Sequence, residues 1–308
     1  MPARRPLRAR LAGAAAVLAV AGALVVTASP LRGAEAQTSA DLVARGRYVF
    51  GAAAGCGCHT EPKKGAPLNA GGRKYEGPSG TVYATNITPD RQAGIGSWTD
   101  DQIVAAIRLG RRSNGERLVP VHPYIVFNGM AEEDLRVLVA YLRSVPPVNR
   151  ANTPRRLVPL FEGVFLPAWL ATFAAREVPP ASAPTSGLAR GEYLVRAVSH
   201  CGECHTPRGI TQAVDNARFL AGNPTHPEGA KMPNITPDRL TGIGDWSEEE
   251  IAEYLGTGNK PDGDVADGLM AEIIQGTSSG YKDLTKADRL AIARYLKSIP
   301  PVRNKIGK

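Results

Sequence analysis

Cys201-Gly202-Glu203-Cys204-His205 sets two thiols three residues apart, with an imidazole directly after the second. In that order each residue has a mechanical job. The thiols add to the two vinyl groups of one haem, and the imidazole becomes the proximal ligand of its iron. A redox C-x-x-C or half of a zinc site is the plainer alternative, but no second complete C-x-x-C exists to close a zinc tetrahedron. The other two cysteines pose a harder case: Cys56-Gly57-Cys58-His59 spells C-x-C-H, one residue short.

A covalently attached haem requires export, and the N-terminus supplies the address. Arg4, Arg5, Arg8 and Arg10 precede an apolar run from Leu11 to Ala28, and small residues end at Ala34-Glu35-Ala36. This reads as a secretory signal over residues 1–36 with an A-x-A cleavage site, directing the chain to the periplasm. The run approaches spanning length, so an uncleaved membrane anchor is the alternative. Five Arg and one Glu in this segment account for half of the net charge of +8. The remaining basicity is too small to argue for nucleic acid. In an oxidising compartment four cysteines usually mean two disulfides. Here each pair is too close in sequence for an ordinary bridge and is followed by His, which favours thioethers.

The elements that must position these residues come from an internal duplication. Asn86 to Ile103, NITPDRQAGIGSWTDDQI, matches Asn234 to Ile251, NITPDRLTGIGDWSEEEI, at 11 of 18 positions with an offset of 148. Tyr141 to Val148, YLRSVPPV, likewise matches Tyr295 to Val302, YLKSIPPV. The expected organisation is a first domain over 37–148, a linker over 149–186, a second domain over 187–303 and a short tail to 308. Apolar residues recur at helical spacing ahead of both cysteine clusters. Capping boxes open helices at Thr99 and Ser247. The closing helices stop at Pro146-Pro147 and Pro300-Pro301, which cannot continue them. Trp98 and Trp246 are expected under the haem or against the next helix. No strand-like alternation of any length is found, so the predicted class is all-α. The apolar linker stretch Leu157 to Ala175 is broken by Pro159, Gly163 and Pro167; a surface helix covering the seam between domains is expected there, with a partner-docking patch as the alternative.

The haem strings, the paired NITPD…GIG.W loops and the PPV endings resemble the multihaem c-type cytochrome subunits of bacterial membrane-bound and periplasmic dehydrogenases acting on alcohols, gluconate, aldehydes or nicotinate. The resemblance covers nearly all of the chain after the signal. It implies class I cytochrome c domains in tandem, here two, and electron transfer from a dehydrogenase catalytic subunit toward a respiratory acceptor, without substrate chemistry of the chain's own. Two haems c are expected as cofactors. The alternative is a dihaem enzyme of the peroxidase or thiosulfate-oxidising type working at the first haem; a haem-dependent sensor or assembly role is a further one.

Within that resemblance, Met270 stands where the family's distal ligand belongs, opposite His205. The same offset of 148 puts His122 in that place in the first repeat, making its haem a candidate His/His centre with His59. Met130 aligns instead with Leu284, where a hydrophobic staple is expected. Aligning His59 with His205 sets Cys58 on Cys204 and Gly55 on Cys201, with Cys56 one residue nearer. Residues three apart share a helical face and residues two apart do not. The preferred reading is therefore one thioether through Cys58, with His59 on the iron. A strained double attachment through Cys56, a decayed site, and a zinc site from Cys56, Cys58, His59 and His122 are the alternatives.

Overall fold

The computed structural model of the chain describes residues 38–174, 178–225 and 229–307 of the 308. The expected export segment, residues 1–36, lies outside them, as does the side chain of Cys56. No helix among the described residues is long and apolar enough to cross a membrane.

The first half begins with α1 (Ser39–Ala52), which Thr38 opens through a capping box with Asp41. Then come β1 (Lys74–Gly77), β2 (Gly80–Tyr83), α2 (Asp100–Leu109), α3 (Tyr124–Phe127) and α4 (Glu132–Ser144). The linker contributes β3 (Arg156–Leu157) and α5 (Leu166–Phe173). The second half holds α6 (Gly187–Tyr193), which runs on through a π turn over Leu194–Val198. It continues with α7 (Cys201–His205), α8 (Glu248–Thr257), α9 (Gly268–Gln275) and α10 (Lys286–Ser298). Both predicted capping boxes are present: Thr99 with Gln102 opens α2, and Ser247 with Glu250 opens α8.

The expectation of an all-α chain needs one correction. β1, β2 and β3 form a small antiparallel sheet in which Gly77 pairs with Gly80 across a Pro78-Ser79 turn. Four-residue strands with mostly half-exposed side chains carry no alternation, so periodicity could not mark them. Gly80 has φ +109, and a β-carbon there would stand 2.2 Å from the Arg156 carbonyl; the hairpin admits β3 only because that carbon is missing.

Each half is closed by the same helix crossing. α1 packs on α4 and α6 on α10. At the crossing points a β-carbon on Gly46 would lie 1.9 Å from the Val137 carbonyl, and one on Gly191 would lie 2.0 Å from that of Ala291. Backbones approach this closely only at glycine.

The repeated sequence strings bond to each other. Asn86 Oδ1 accepts from the backbone and hydroxyl of Thr88 while its Nδ2 donates to the Val148 carbonyl. Asn234 does the same with Thr236 and Val302. Val148 and Val302 return their N–H groups to the hydroxyls of Thr88 and Thr236. The NITPD loop is thus clipped to the PPV segment in both halves. The Gly-Ile-Gly turns are equally constrained, since β-carbons on Gly94 and Gly242 would lie 2.1 and 2.2 Å from the Thr88 and Thr236 carbonyls. Trp98 and Trp246 are half-buried against the common core, and Trp246 meets Tyr254 edge to face at 5.5 Å.

The described residues pack as one compact unit with a single continuous core drawn from both halves. The seam is built by exchange. The Tyr193 hydroxyl of α6 accepts the N–H of Ala131, the residue capping α4, and donates to Asp134 in the first turn of that helix. The Tyr48 hydroxyl of α1 accepts the N–H of Thr285, the cap of α10, and donates to Asp288. Each tyrosine therefore satisfies a helix start in the opposite half. Arg190 adds two bonds to Asp288, and the buried Arg73 pairs with Glu272 of α9 at 2.8 Å.

The linker touches both halves, as a helix lying over the seam would. β3 pairs with β2, and Trp169 Nε1 donates to the Thr211 carbonyl. α5 is mostly exposed, with Leu166 its buried anchor.

Candidate haem sites

The two histidines expected as proximal ligands are held alike. His59 Nδ1 donates to the Thr85 carbonyl at 2.7 Å, and His205 Nδ1 donates to the Pro233 carbonyl at 2.8 Å. A carbonyl only accepts, so the proton sits on Nδ1 and Nε2 keeps its lone pair for a metal. Burial lowers the pKa of both rings, against a smaller opposing effect of the carbonyl bonds, so both are neutral at physiological pH. Following residues repeat the pattern. The carbonyls of His59 and His205 accept from Gly71 and Gly222, both at 2.7 Å, and the hydroxyls of Thr60 and Thr206 accept from Asn69 and Leu220.

His122 is brought to His59. Their ring centres are 6.4 Å apart with the planes at 71°. Metal–imidazole bonds are about 2 Å long, so one metal ion held between opposed rings sets their centres roughly 6–6.5 Å apart. Burial, then the neighbouring His59 and His200 rings, pushes the His122 pKa down to about 3, and its Nδ1 is buried without a hydrogen-bond partner. A neutral ring with an uncommitted environment, opposite a second neutral ring, fits axial ligation of a haem iron. The turn that presents it is short: Tyr124 N–H returns to the His122 carbonyl at 2.8 Å, and Pro123 keeps His122 out of a helix. Tyr124 stacks on the ring at 6.4 Å and 19°. Gly110, which ends α2 at φ +62, gives Tyr124 its place, because a β-carbon there would stand 2.5 Å from the tyrosine ring.

In the second half Cys201 and Cys204 lie on the single turn of α7, three residues apart and on one face. Burial pushes both thiols up to about 12. A redox C-x-x-C works through a lowered thiol pKa, so this pair lacks the electrostatics of a dithiol catalyst. Met270 is the third residue of α9, half-buried at the edge of the core. Met232 is buried with its backbone paired to Asn223, and Met130 is fully buried one residue before the α4 cap, with Leu135 in the same core as a staple requires.

The two attachment turns part company at one residue. Ala54 and His200, aligned, both have left-handed backbones at φ 63 and 42. Cys201 then enters a helix, whereas Gly55 keeps φ +59 against the second half. Its carbonyl accepts from the Thr277 hydroxyl, and a β-carbon on it would lie 2.3 Å from the Ser279 carbonyl. Cys58 is exposed, and none of Cys58, Cys201 and Cys204 is disulfide-bonded. Among the described residues no three His, Cys, Asp or Glu side chains converge on a metal-sized site, which leaves the zinc alternative without a ligand set there.

Sequence reasoning missed His200 and Phe127. The Phe127 ring meets His122 at 5.8 Å and His200 at 5.3 Å, edge to face in both cases. The only sequence signal was that His200 directly precedes Cys201.

Paired sites of this kind, each with a carbonyl-anchored histidine behind a cysteine turn, define a c-type cytochrome, and comparison with known proteins agrees. No family model matches the chain. The chain is 38% identical over 265 residues to a diheme cytochrome c-type protein of Cereibacter sphaeroides, covering 84% of this chain and 86% of that one. It is 37% identical to the gluconate 2-dehydrogenase cytochrome c subunit of Pantoea cypripedii, over 86% of this chain and 61% of that one. It is also 37% identical to the fructose dehydrogenase cytochrome subunit of Gluconobacter japonicus, over 92% and 58%. The chain belongs to the family of dihaem cytochromes c and dehydrogenase cytochrome c subunits, and haem c is the cofactor that membership implies. It spans about three fifths of the length of the two dehydrogenase subunits.

Proposed function

We propose that the chain is an exported dihaem electron carrier that takes electrons from a dehydrogenase catalytic subunit and passes them to a respiratory acceptor. The approach of the His59 and His122 rings, 6.4 Å between centres, carries the reading, because two neutral imidazoles at that spacing could both bind one iron. The second haem is held by thioethers to Cys201 and Cys204, with His205 and Met270 on its iron. The first is held by one thioether through Cys58. Haem supplies a centre that gains and loses one electron without making or breaking bonds.

The protein's own residues do the rest. The Thr85 and Pro233 carbonyls fix ring orientation and strengthen the proximal nitrogens as donors. The neutral rings of His59, His122 and His205, each half-buried, would take iron positions that water would otherwise fill. Imidazole from His122 in place of the thioether sulfur of Met270 would favour ferric iron, so the first haem would lie below the second in potential and the chain would favour transfer from the first to the second. The dehydrogenase names of the relatives support a partner of that class for this chain.

Carbon monoxide addition to the fully reduced, haem-loaded chain tests the reading. Six-coordinate spectra without carbon monoxide binding at either haem are expected. An open first iron would replace this function with a dihaem enzyme working at that site.

A further inference from the structure

We infer that Phe127 and His200 form the route by which an electron crosses from the first haem to the second. The inference rests on the ligand reading above. The ring contacts run unbroken across the seam: His122 to Phe127 at 5.8 Å, Phe127 to His200 at 5.3 Å, then one peptide unit to Cys201, which carries the second haem. Phe127 is buried and His200 is half-buried, so packed protein, not solvent, fills the gap. Electrons tunnel through bonded and closely packed atoms far faster than through solvent or void, which makes this chain of rings a direct path between the two sites.

The seam holds a second crossing. α3 packs against the π turn that leads to Cys201, and α9 packs in the corresponding way against the 54–59 turn. The alignment of Met130 with Leu284 sets Phe127 on Tyr281, and both strings repeat one backbone bond, Met130 N–H to the Phe127 carbonyl and Leu284 N–H to that of Tyr281; His200 aligns with Ala54. His200 is therefore the departure from the repeat, a ring added where the first half has Ala54. His200 holds φ 42, a backbone region that β-carbon-bearing residues seldom adopt, and its pKa is lowered by burial. A neutral ring adds no fixed charge between the haems. In the step itself one electron leaves the ferrous first haem and reduces the ferric second haem. No proton or atom moves, and both side chains are unchanged afterwards.

Pulse radiolysis of the haem-loaded chain injects one electron and follows its redistribution between the two α-bands. Phe127→Leu is expected to slow that redistribution several-fold while both midpoint potentials stay in place, and Phe127→Tyr to restore it. His200→Asn, which keeps a residue tolerant of the left-handed backbone, should slow it likewise. Nuclear Overhauser contacts from the Phe127 ring to both His122 and His200 in the reduced protein give a second readout, independent of rate. Unchanged redistribution in Phe127→Leu, with a six-coordinate first haem, overturns the route and leaves the carrier reading intact. A first haem that is five-coordinate in the unaltered protein overturns both.

Discussion

The carbonyl of Ser279 occupies the space that a β-carbon on Gly55 would need, 2.3 Å away, at the position aligned with Cys201. The second half thus fills the place where the first half would carry its leading haem cysteine. The nearest thiol stands one residue later, at Cys56, and the shortened C-x-C-H string coincides with a packing constraint set by a distant part of the chain.

Gly55→Cys restores the C-x-x-C-H string on paper but is expected to destabilise the seam without adding a thioether. Cys58→Ala should remove covalent haem from the first site, and Cys56→Ala should leave haem content unchanged. Intact mass and the pyridine haemochrome report all three. A blue-shifted first haem in Gly55→Cys, with two thioethers, would sink the packing account.

The axial ligands are expected to set the order of potentials. His122→Met should raise the first haem's potential, and Met270→His should lower the second's, because thioether sulfur favours ferrous iron relative to imidazole. Spectroelectrochemical titration reads both shifts. A second haem indifferent to Met270→His excludes Met270 as its ligand.

Asp134 and Asp288 occupy corresponding places but titrate in opposite directions. Burial raises Asp134, outweighing its bond from Tyr193. Burial also pushes Asp288 up, but the bonds from Arg190 and Tyr48 prevail and leave it lowered. A lowered carboxylate contributes stability above its unfolded pKa near 3.8 and loses it as pH falls through the folded value. A raised one contributes below that pH and loses it as pH rises through its folded value. Asp288→Asn should therefore cost about 2–3 kcal/mol at neutral pH, since it strands the Arg190 charge, with the cost shrinking below pH 3.8. Asp134→Asn keeps an acceptor for Tyr193 and should be neutral or slightly stabilising at pH 7, losing that advantage in acid. Denaturant unfolding across pH 3–7 checks both; parallel pH profiles for the two variants would contradict the assignment.

Gly191→Ala is expected to cost about 3 kcal/mol, because the methyl group would force α6 away from the Ala291 carbonyl. Gly46→Ala should do the same at the other crossing. Thermal unfolding of each variant against an exposed control such as Gly163→Ala isolates the close approach.

Much of this was legible in advance because its physics is local. Thr99, Ser247 and the proline pairs mark helix ends through bonds made or prevented within a few residues, and the cysteine-histidine strings state a covalent chemistry. The aligned offset singled out His122, whose ring centre lies 6.4 Å from that of His59. What escaped is non-local. Tyr75 and Val82 pair in a hairpin too short to show a period, the exchanged tyrosine bonds join residues some 59 and 240 positions apart, and Phe127 acquires its meaning only against His200. The carbonyls of Thr85 and Pro233 could not be read from side-chain types at all.

The reciprocal reach of Tyr48 and Tyr193 has the form of a two-fold contact between subunits, folded into a single chain. In a true homodimer one sequence must serve both sides of such a contact, so any change appears twice. Joined by a linker, the two sides are released from that bond: the hydrogen bonds of Arg190 hold Asp288 down while burial raises Asp134, and Gly55 can yield to Ser279 while Cys201 keeps its place. Covalent fusion is what lets one molecule hold two unequal cysteine–histidine turns at a fixed spacing, an asymmetry that no pair of identical subunits could possess.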